Sequence, residues 1–438
     1  MSEENIQEIE DWVAKGDDYA KNQVFDKAVE CYTRAITSNP RASFAYFKRG
    51  SVLVQLDMFN DALEDFNNAV MLNPSFSFAY FKRGSVKFNL HHYKSAIEDF
   101  STALELNADF SFAYYKRGMC KLKLKDIDEA LEDLNLALEL NPGYMPAYLN
   151  RGNIYFDKKD YENAVKNYTS ALTIDPKQEK TLVARGLANS HIQRYKSALD
   201  DFAMAVKLNP DSFLAYNYRG LIYNKTKNFT LAVIEFDKVI ELAPNNADAY
   251  NNRGIAHFWM KDYEKAVKDY SKALQLKPSS PHLYFNRANA LYYLKQFIES
   301  IIDFDKAIEL QPGLTSAYFG RANCSVYLNK YREAIQDFSR AITLNPKFFQ
   351  AYVGRGNAYL KMKVFKKALE DFTLAIELNK DNAVGYLNRG IAFKLEGINE
   401  KAAIDFQEFL RLSTHNTRTV IQIKNWLKKM HYPLVRAK

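Results

Sequence analysis

Residues 61–74 read DALEDFNNAVMLNP, and the spacing of their apolar side chains decides the fold. Ala62, Leu63, Phe66, Ala69, Val70 and Leu72 recur at intervals of three and four, as one face of a helix requires. Ala62 and Ala69 each belong to a series that recurs along the chain at one constant period. The first runs Ala28, Ala62, Ala96, Ala130, Ala164, Ala198, Ala232, Ala266, Ser300, Ala334, Ala368 and Ala402. The second lies seven positions later, from Ala35 to Phe409, with an aromatic residue or Leu three positions before each member. Twelve positions before the first series stands a third, Gly16, Gly50, Gly84 and onward to Gly390, with Ala288 and Ala322 as its two alanines. Arginine precedes each of these from Arg49 to Arg389, and Lys15 precedes Gly16, so no insertion breaks the register.

A side chain of one carbon or none lets two helix axes approach closely, and a large ring opposite fills the gap beside it. Each period therefore predicts a hairpin of two helices, with a polar break such as LDMFND or KKDYEN between them. Asn-Pro or a similar pair closes the unit, as at Pro40, Pro74, Pro142, Pro210 and Pro346. Asn in the left-handed cap conformation is the expected terminator of the second helix.

Composition agrees with such an array. Hydrophobic residues make up 47% of 438, charged residues 26% and aromatics 14%, while 16 Gly and 12 Pro leave few turns for a sandwich or barrel. The net charge of +8 is spread over 60 basic and 52 acidic residues, too evenly for a nucleic-acid surface on charge alone. The ends differ: Glu3, Glu4, Glu8, Glu10, Asp11, Asp17 and Asp18 are acidic, and Arg418, Lys424, Lys428, Lys429, Arg436 and Lys438 are basic. Solvated terminal caps account for both ends, with end-to-end association or anionic lipid binding as alternatives. Cys31, Cys120 and Cys324 have neither disulfide-framework nor zinc spacing, so no metal and no cofactor is expected. The opening residues lack a signal-peptide pattern, and no apolar run is long enough to span a membrane. A soluble cytoplasmic protein without membrane insertion is the expectation.

The pattern resembles the tetratricopeptide repeat family over residues 9–416, in twelve contiguous units starting at 9, 43, 77, 111, 145, 179, 213, 247, 281, 315, 349 and 383. An aromatic stands in the family's Trp position from Trp12 and Tyr46 to Tyr386, except at Leu182, and Arg or Lys replaces the usual Leu beside the Gly. The resemblance implies an all-α, right-handed α-solenoid with a concave channel lined by the first helix of each unit. Residues 1–8 are expected to be an extension leading into the first helix, 417–432 a capping helix with Val420, Ile423, Leu427 and Met430 on one face, and 433–438 a basic tail.

An acid follows each Arg sixteen positions later: Asp65 after Arg49, Asp99 after Arg83, Asp133 after Arg117, and so on to Asp405, with Asn167 the exception. These rows are expected to form partly buried ion pairs that fix the stacking of units, within a unit or toward the next unit's Arg. Unit one carries Lys15 and Cys31 instead.

The family binds partners at positions 2, 5, 6, 9, 12 and 13 of each unit, which carries the expected site to named residues here. Units two to four offer Phe44, Phe47 and Lys48; Phe78, Phe81 and Lys82; and Phe112, Tyr115 and Lys116. Further on come Asn150, Asn153, Asn251, Asn252, Asn286, Asn289, Asn323, Asn357 and Asn388, with Trp259, Tyr292 and Tyr293. Amides donate and accept, so such a row suits the backbone of an extended peptide. Similar asparagine rows line the superhelix of the O-linked N-acetylglucosamine transferase, although Ala184, Tyr218, Gly320 and Gly354 interrupt the row here. The Phe residues equally fit packing between units, and the Lys residues a solvated face. Position 5 is never Lys, which disfavours the family's clamp for chaperone tails.

No catalytic cluster, glycine-rich phosphate loop or triad spacing stands outside the repeat, and the seven His are scattered. The expected function is a non-catalytic scaffold or adaptor for an extended peptide or partner protein, with no small-molecule substrate. A nucleic-acid-binding solenoid is the rival, since the same aromatics could stack bases. A substrate-recruiting or co-chaperone-like subunit of a larger complex is the third reading.

Overall fold

The computed structural model describes residues 3–413 and 417–433, with side chains from residue 7 onward. The described residues are helical throughout, with no strand among them. The chain divides into two compact units, Met1–Pro210 and Asp211–Lys438.

In the first unit, six hairpins follow one another: α1 (Glu3–Lys21) with α2 (Phe25–Ser38), α3 (Ser43–Gln55) with α4 (Phe59–Leu72), α5 (Ser77–Asn89) with α6 (Tyr93–Leu106), α7 (Ser111–Leu124) with α8 (Ile127–Leu140), α9 (Met145–Asp157) with α10 (Tyr161–Ile174), and α11 (Glu179–His191) with α12 (Tyr195–Leu208). The second unit continues with α13 (Phe213–Lys225) and α14 (Phe229–Leu242), α15 (Ala247–Trp259) and α16 (Tyr263–Leu276), α17 (Pro281–Tyr293) and α18 (Phe297–Leu310), α19 (Thr315–Tyr327) and α20 (Tyr331–Leu344), α21 (Phe349–Lys361) and α22 (Phe365–Leu378), then α23 (Ala383–Leu395) and α24 (Asn399–Leu412). Odd-numbered helices are called A and even-numbered ones B. Within each unit, a B helix packs against its own A helix and the next one, and the A helices also touch successively.

The core is the small-residue register itself. Ala62, Phe66 and Ala69 are fully buried, as are Ala96, Phe100 and Ala103, and the same trio recurs along the chain. At Gly254, a Cβ would lie 2.8 Å from the Tyr270 ring, so the glycine is what seats that ring. Ala288 and Ala322 stand at the glycine position in their hairpins, and there the next A helix supplies a glycine instead. The Phe304 ring fills the space above Gly320, and Phe338 that above Gly354, each a glycine of the following A helix. Ala at one site is thus offset by Gly at the other, which explains why the asparagine row breaks at 320 and 354.

Each A helix ends in a left-handed residue, at Gln23, Asp57, His91, Lys125, Lys159, Gln193, Lys227, Lys261, Lys295, Asn329 and Lys363, and at Gly397 in the last hairpin. The backbone closes as a Schellman motif: Met58 N donates to Leu53 O at 2.9 Å and Asp57 N to Val54 O at 3.2 Å. The sequence expectation put the left-handed cap elsewhere, on the Asn of the Asn-Pro pairs that close the units. Asn39 (φ −142°, ψ 99°) and Asn345 (φ −141°, ψ 91°) are extended instead. Their Oδ1 atoms accept from Arg41 N at 2.9 Å and Lys347 N at 3.1 Å, so Asn acts through its side chain and the following Pro keeps it extended.

At the ends, α1 already begins at Glu3, so most of the expected extension is helix. A last helix, α25 (Arg418–Lys429), buries Val420, Ile423 and Leu427 against Phe406, Phe409 and Leu410 of α24, with Met430 packed beside them. His431 repeats the left-handed turn one period after Gly397, so α25 occupies the place of a further A helix. Of the expected basic tail, residues 434–438 lie outside the described residues.

Candidate functional site

Every A helix from α3 onward carries its Arg toward the B layer, and this places the first set of charged residues. Arg49 donates through Nε and Nη2 to the two oxygens of Asp65 at 2.9 and 2.8 Å. Its remaining arm, Nη1, donates to Thr33 Oγ1 of the preceding hairpin at 3.0 Å, and its guanidinium lies 5.8 Å from the Tyr46 ring. Arg83 and Arg117 repeat this with Asp99 and Asp133, reaching back to Asn67 and Ser101. In the second unit Arg253 and Arg321 reach back to the carboxylates Asp237 and Asp305. The acid thus stays within its own hairpin, and the link between hairpins comes from the third arm of the Arg. Arg151 bonds Asn167 at 2.7 Å in the one hairpin that has the Arg but no acid.

The Asp carboxylates are buried, and the Arg side chains are about one-fifth exposed. Burial pushes the Asp65 and Asp371 carboxyls up, while the hydrogen bonds that Arg49 and Arg355 donate to them hold both guanidinium groups more firmly charged. Glu235 replaces Asp opposite Arg219, and its Oε2 has no hydrogen-bond partner among the described residues. A second donor joins some acids from the A helix: Lys87 to Asp99 at 2.8 Å, Lys121 to Asp133 at 3.0 Å, and Asn189 to Asp201 at 3.2 Å. His257 holds the same place 3.9 Å from Asp269, and burial lowers its pKa.

The other face of the A helices carries the residues expected to bind. Phe47 packs on Phe66 and on Phe76 of the next hairpin (ring centres 6.0 and 4.8 Å), and Phe81 does the same with Phe100 and Phe110. Tyr115 meets Tyr144 at 4.9 Å. These three are half-buried joints between hairpins. Phe44, Phe78 and Phe112 touch the same partner rings from outside, yet remain 48, 50 and 44% exposed.

The three lysines differ. Lys48 is committed to Asp17 at 3.0 Å, and Asp17 also accepts from the Tyr32 hydroxyl at 2.6 Å. Lys82 makes no ion pair among the described residues. Lys116 lies over the Phe88 ring at 5.3 Å, and burial, aided by repulsion from Lys82, lowers its pKa. No carboxylate stands on α3, α5 or α7 to compensate them.

Of the amides in the first unit, Asn150 donates to the Tyr115 hydroxyl at 3.2 Å, and Asn153 accepts from Tyr168 at 2.9 Å. In the second unit Asn286 donates to Asn251 at 3.0 Å, Asn251 donates to Asn252 at 3.3 Å, and Asn289 turns to its own helix at Phe285 O. The side chains of Asn323, Asn357 and Asn388 are half-buried and take no partner among the described residues. Trp259 and Tyr293 stand exposed at the ends of α15 and α17, and Tyr327 repeats them at the end of α19. Sequence reasoning missed Tyr327, whose signal was its position one period after Tyr293.

Chemically the described residues offer recognition. No group of three or more His, Cys, Asp or Glu among them is placed to hold a metal ion. Burial pushes the Cys120 thiol up to about 12 and that of Cys324 to about 11, which keeps both in the unreactive thiol form. No described helix is long and apolar enough to cross a membrane.

Sequence profiles described as tetratricopeptide repeats match residues 13–77, 79–110, 111–144, 146–178, 184–247, 247–280, 281–314 and 349–382, and one described as a TPR repeat matches 326–363. No curated protein sequence matches the chain. Among solved structures, yeast Tom70 is 19% identical over 97% of this chain and 96% of its own, with a TM-score of 0.41. The Cut9–Hcn1 hetero-tetramer of the APC/C is 16% identical over 96% and 90%, at 0.45. A tetratricopeptide repeat protein of Parabacteroides merdae is 20% identical over 57% and 98%, at 0.43.

Proposed function

We infer that this chain, which belongs to the tetratricopeptide repeat family, is a non-catalytic adaptor that holds an extended segment of another protein against its A helices. The observation that carries this reading is the exposed row Phe44, Phe78 and Phe112, beside Lys82 and Lys116. The rings turn about half their surface to solvent at a constant period, and the two lysines have no acidic neighbour on their own helices. Such a surface is complementary to a peptide with apolar side chains at intervals and a carboxylate between them. In the second unit Asn323, Asn357 and Asn388 supply uncommitted amides suited to a peptide backbone.

Site-specific photocrosslinking tests it. With the reactive group placed at Phe78 or Asn323, the full chain should trap peptides from a random display library. The same group on an outer B-helix position, such as Glu64, should trap none. Capture should survive raised salt, because ring contacts are not screened. Capture of nucleic acid with steep salt dependence, and of no peptide, would transfer the site to the rival reading.

A further inference from the structure

The ends of α15, α17 and α19 carry a second, separate row. Trp259, Tyr293 and Tyr327 are 63, 54 and 61% exposed, one per hairpin. Each is nearly parallel to a ring of the preceding B helix: Tyr293 to Tyr263 (10° between planes, centres 5.0 Å apart), Tyr327 to Phe297 (8°, 4.8 Å) and, further offset, Trp259 to Phe229 (11°, 6.4 Å). Phe258 and Tyr292 stand edge-on between successive rings, with centres 5.5 to 5.7 Å from each neighbour. The three exposed rings are therefore held in one orientation by their backing before any ligand arrives, which removes the ordering cost of binding.

The fold itself does not require them. Elsewhere the same position is Lys21, Gln55, Asn89, Lys123, Asp157, Lys225, Lys361 or Leu395, or His191, which stacks alone on Tyr161, and the array closes around all of them. Three large rings half in water leave apolar area that a ligand covering them would bury.

We propose that this strip is a docking track for a proline-rich segment in the polyproline II conformation. The proposal rests on the peptide-binding reading above and names a ligand class for one stretch of it. Successive A helices repeat at about 10 Å, the interaxial distance of packed helices. A polyproline II helix completes one turn of three residues in about 9.3 Å, so every third side chain meets the next ring. Its carbonyls stay unpaired and need donors. Asn323, one helical turn before Tyr327, has a free amide to supply one.

Charge along the strip is mixed: Lys261 and Lys265 stand with Asp262 and Glu264, Lys295 with Glu299, and Lys330 and Arg332 with Glu333. A phosphate backbone is therefore the competing ligand, and an oligonucleotide control tests it.

The test uses the full chain with Trp12 and Trp426 replaced by Phe, so that Trp259 alone reports by fluorescence. The probe is a proline-rich peptide of about nine residues, which makes three turns. A Gly/Ser peptide of equal length and a single-stranded pyrimidine oligonucleotide serve as controls. The proline peptide should give a saturable change and the controls none. Tyr293→Gln and Tyr327→Gln install the residue that this position already carries at 55, and each should weaken binding about tenfold with the helical spectrum intact. Glu64→Ala, on an outer B-helix position, should leave it unchanged. Silence toward the proline peptide, unaltered affinity in both Gln variants, or preference for the oligonucleotide would overturn the proposal. If crosslinked peptides are still captured at Phe78 in that case, the broader adaptor reading survives.

Discussion

At the scale of single residues, the arginine row shows how one side chain serves three partners. Its bidentate grip closes its own hairpin, its third arm reaches the hairpin before, and its plane rests on a Tyr ring one turn away. Removing the acid leaves a mostly buried guanidinium unpaired. Asp371→Ala should therefore cost about 2 to 3 kcal/mol, toward the lower end for a partly exposed partner. Asp371→Asn should cost about 1 kcal/mol, since burial already opposes the charge and the Arg151–Asn167 pair shows that an amide can fill the place. Chemical denaturation of the two variants checks the order. His257 gives the pH counterpart. Burial holds its folded-state pKa below the usual His value despite Asp269, and its Nδ1 has no partner, so the fold favours the neutral ring. A depressed pKa means stability that is present above about pH 6.5 and lost as pH falls below it. His257→Leu, the residue found at positions 53 and 291 in the same register, should lose less stability than the parent between neutral and mildly acid pH.

At the scale of the helix pair, the exchange of Ala and Gly shows how hairpins adjust to one another. Where helix A keeps its glycine, the B-helix ring lies against it in its own hairpin; in the hairpins of Ala288 and Ala322 the ring lies against Gly320 or Gly354 of the next A helix. Gly320→Ala alone should destabilise by about 1 to 3 kcal/mol through overpacking, beyond what better helix propensity returns. Adding Ala288→Gly reopens the first seat and should recover most of the loss, so a double-mutant cycle should give a coupling of about 1 kcal/mol or more. Additive effects would mean that the ring does not move between the seats. This exchange was not legible in the sequence, because Ala288 and Gly320 fall in different repeats and at different repeat positions, so they look like independent lapses from a pattern. The hairpins themselves were legible: glycine, alanine and ring positions recur at a fixed step, and close helix packing leaves few other reasons for that. The Arg–acid spacing of sixteen was equally visible. The third arm of the Arg was not, since its acceptors vary among Thr33, Asn67, Ser101, Ser271 and Asp305 and share only polarity. The left-handed turns escaped for a similar reason: most are held by Lys or Gln, which have no preference for that region, and Asp57, His91, Asn329 and Gly397 are scattered among them.

At the scale of the whole molecule, a repeat array divides its chemistry between layers. Small residues and ion pairs lie between the A and B helices, and what remains on the A helices is free to differ from one hairpin to the next without disturbing the fold. That freedom is why the candidate site was only partly readable. Phe47, Phe81 and Tyr115 were expected on the binding surface together with Phe44, Phe78 and Phe112, yet the first three are joints between hairpins and the second three are the exposed rings. A constant period places residues on a face, but how far each ring is covered depends on Phe76, Phe110 and Tyr144, which lie on the turns before the following A helices. Amide hydrogen exchange of the full chain, with and without a peptide captured by it, tests the division most directly. The account predicts that binding slows exchange along A helices such as α3, α5 and α7 or α15, α17 and α19, and leaves the outer B helices unchanged. Protection confined to B helices, or spread equally over both layers, would contradict it.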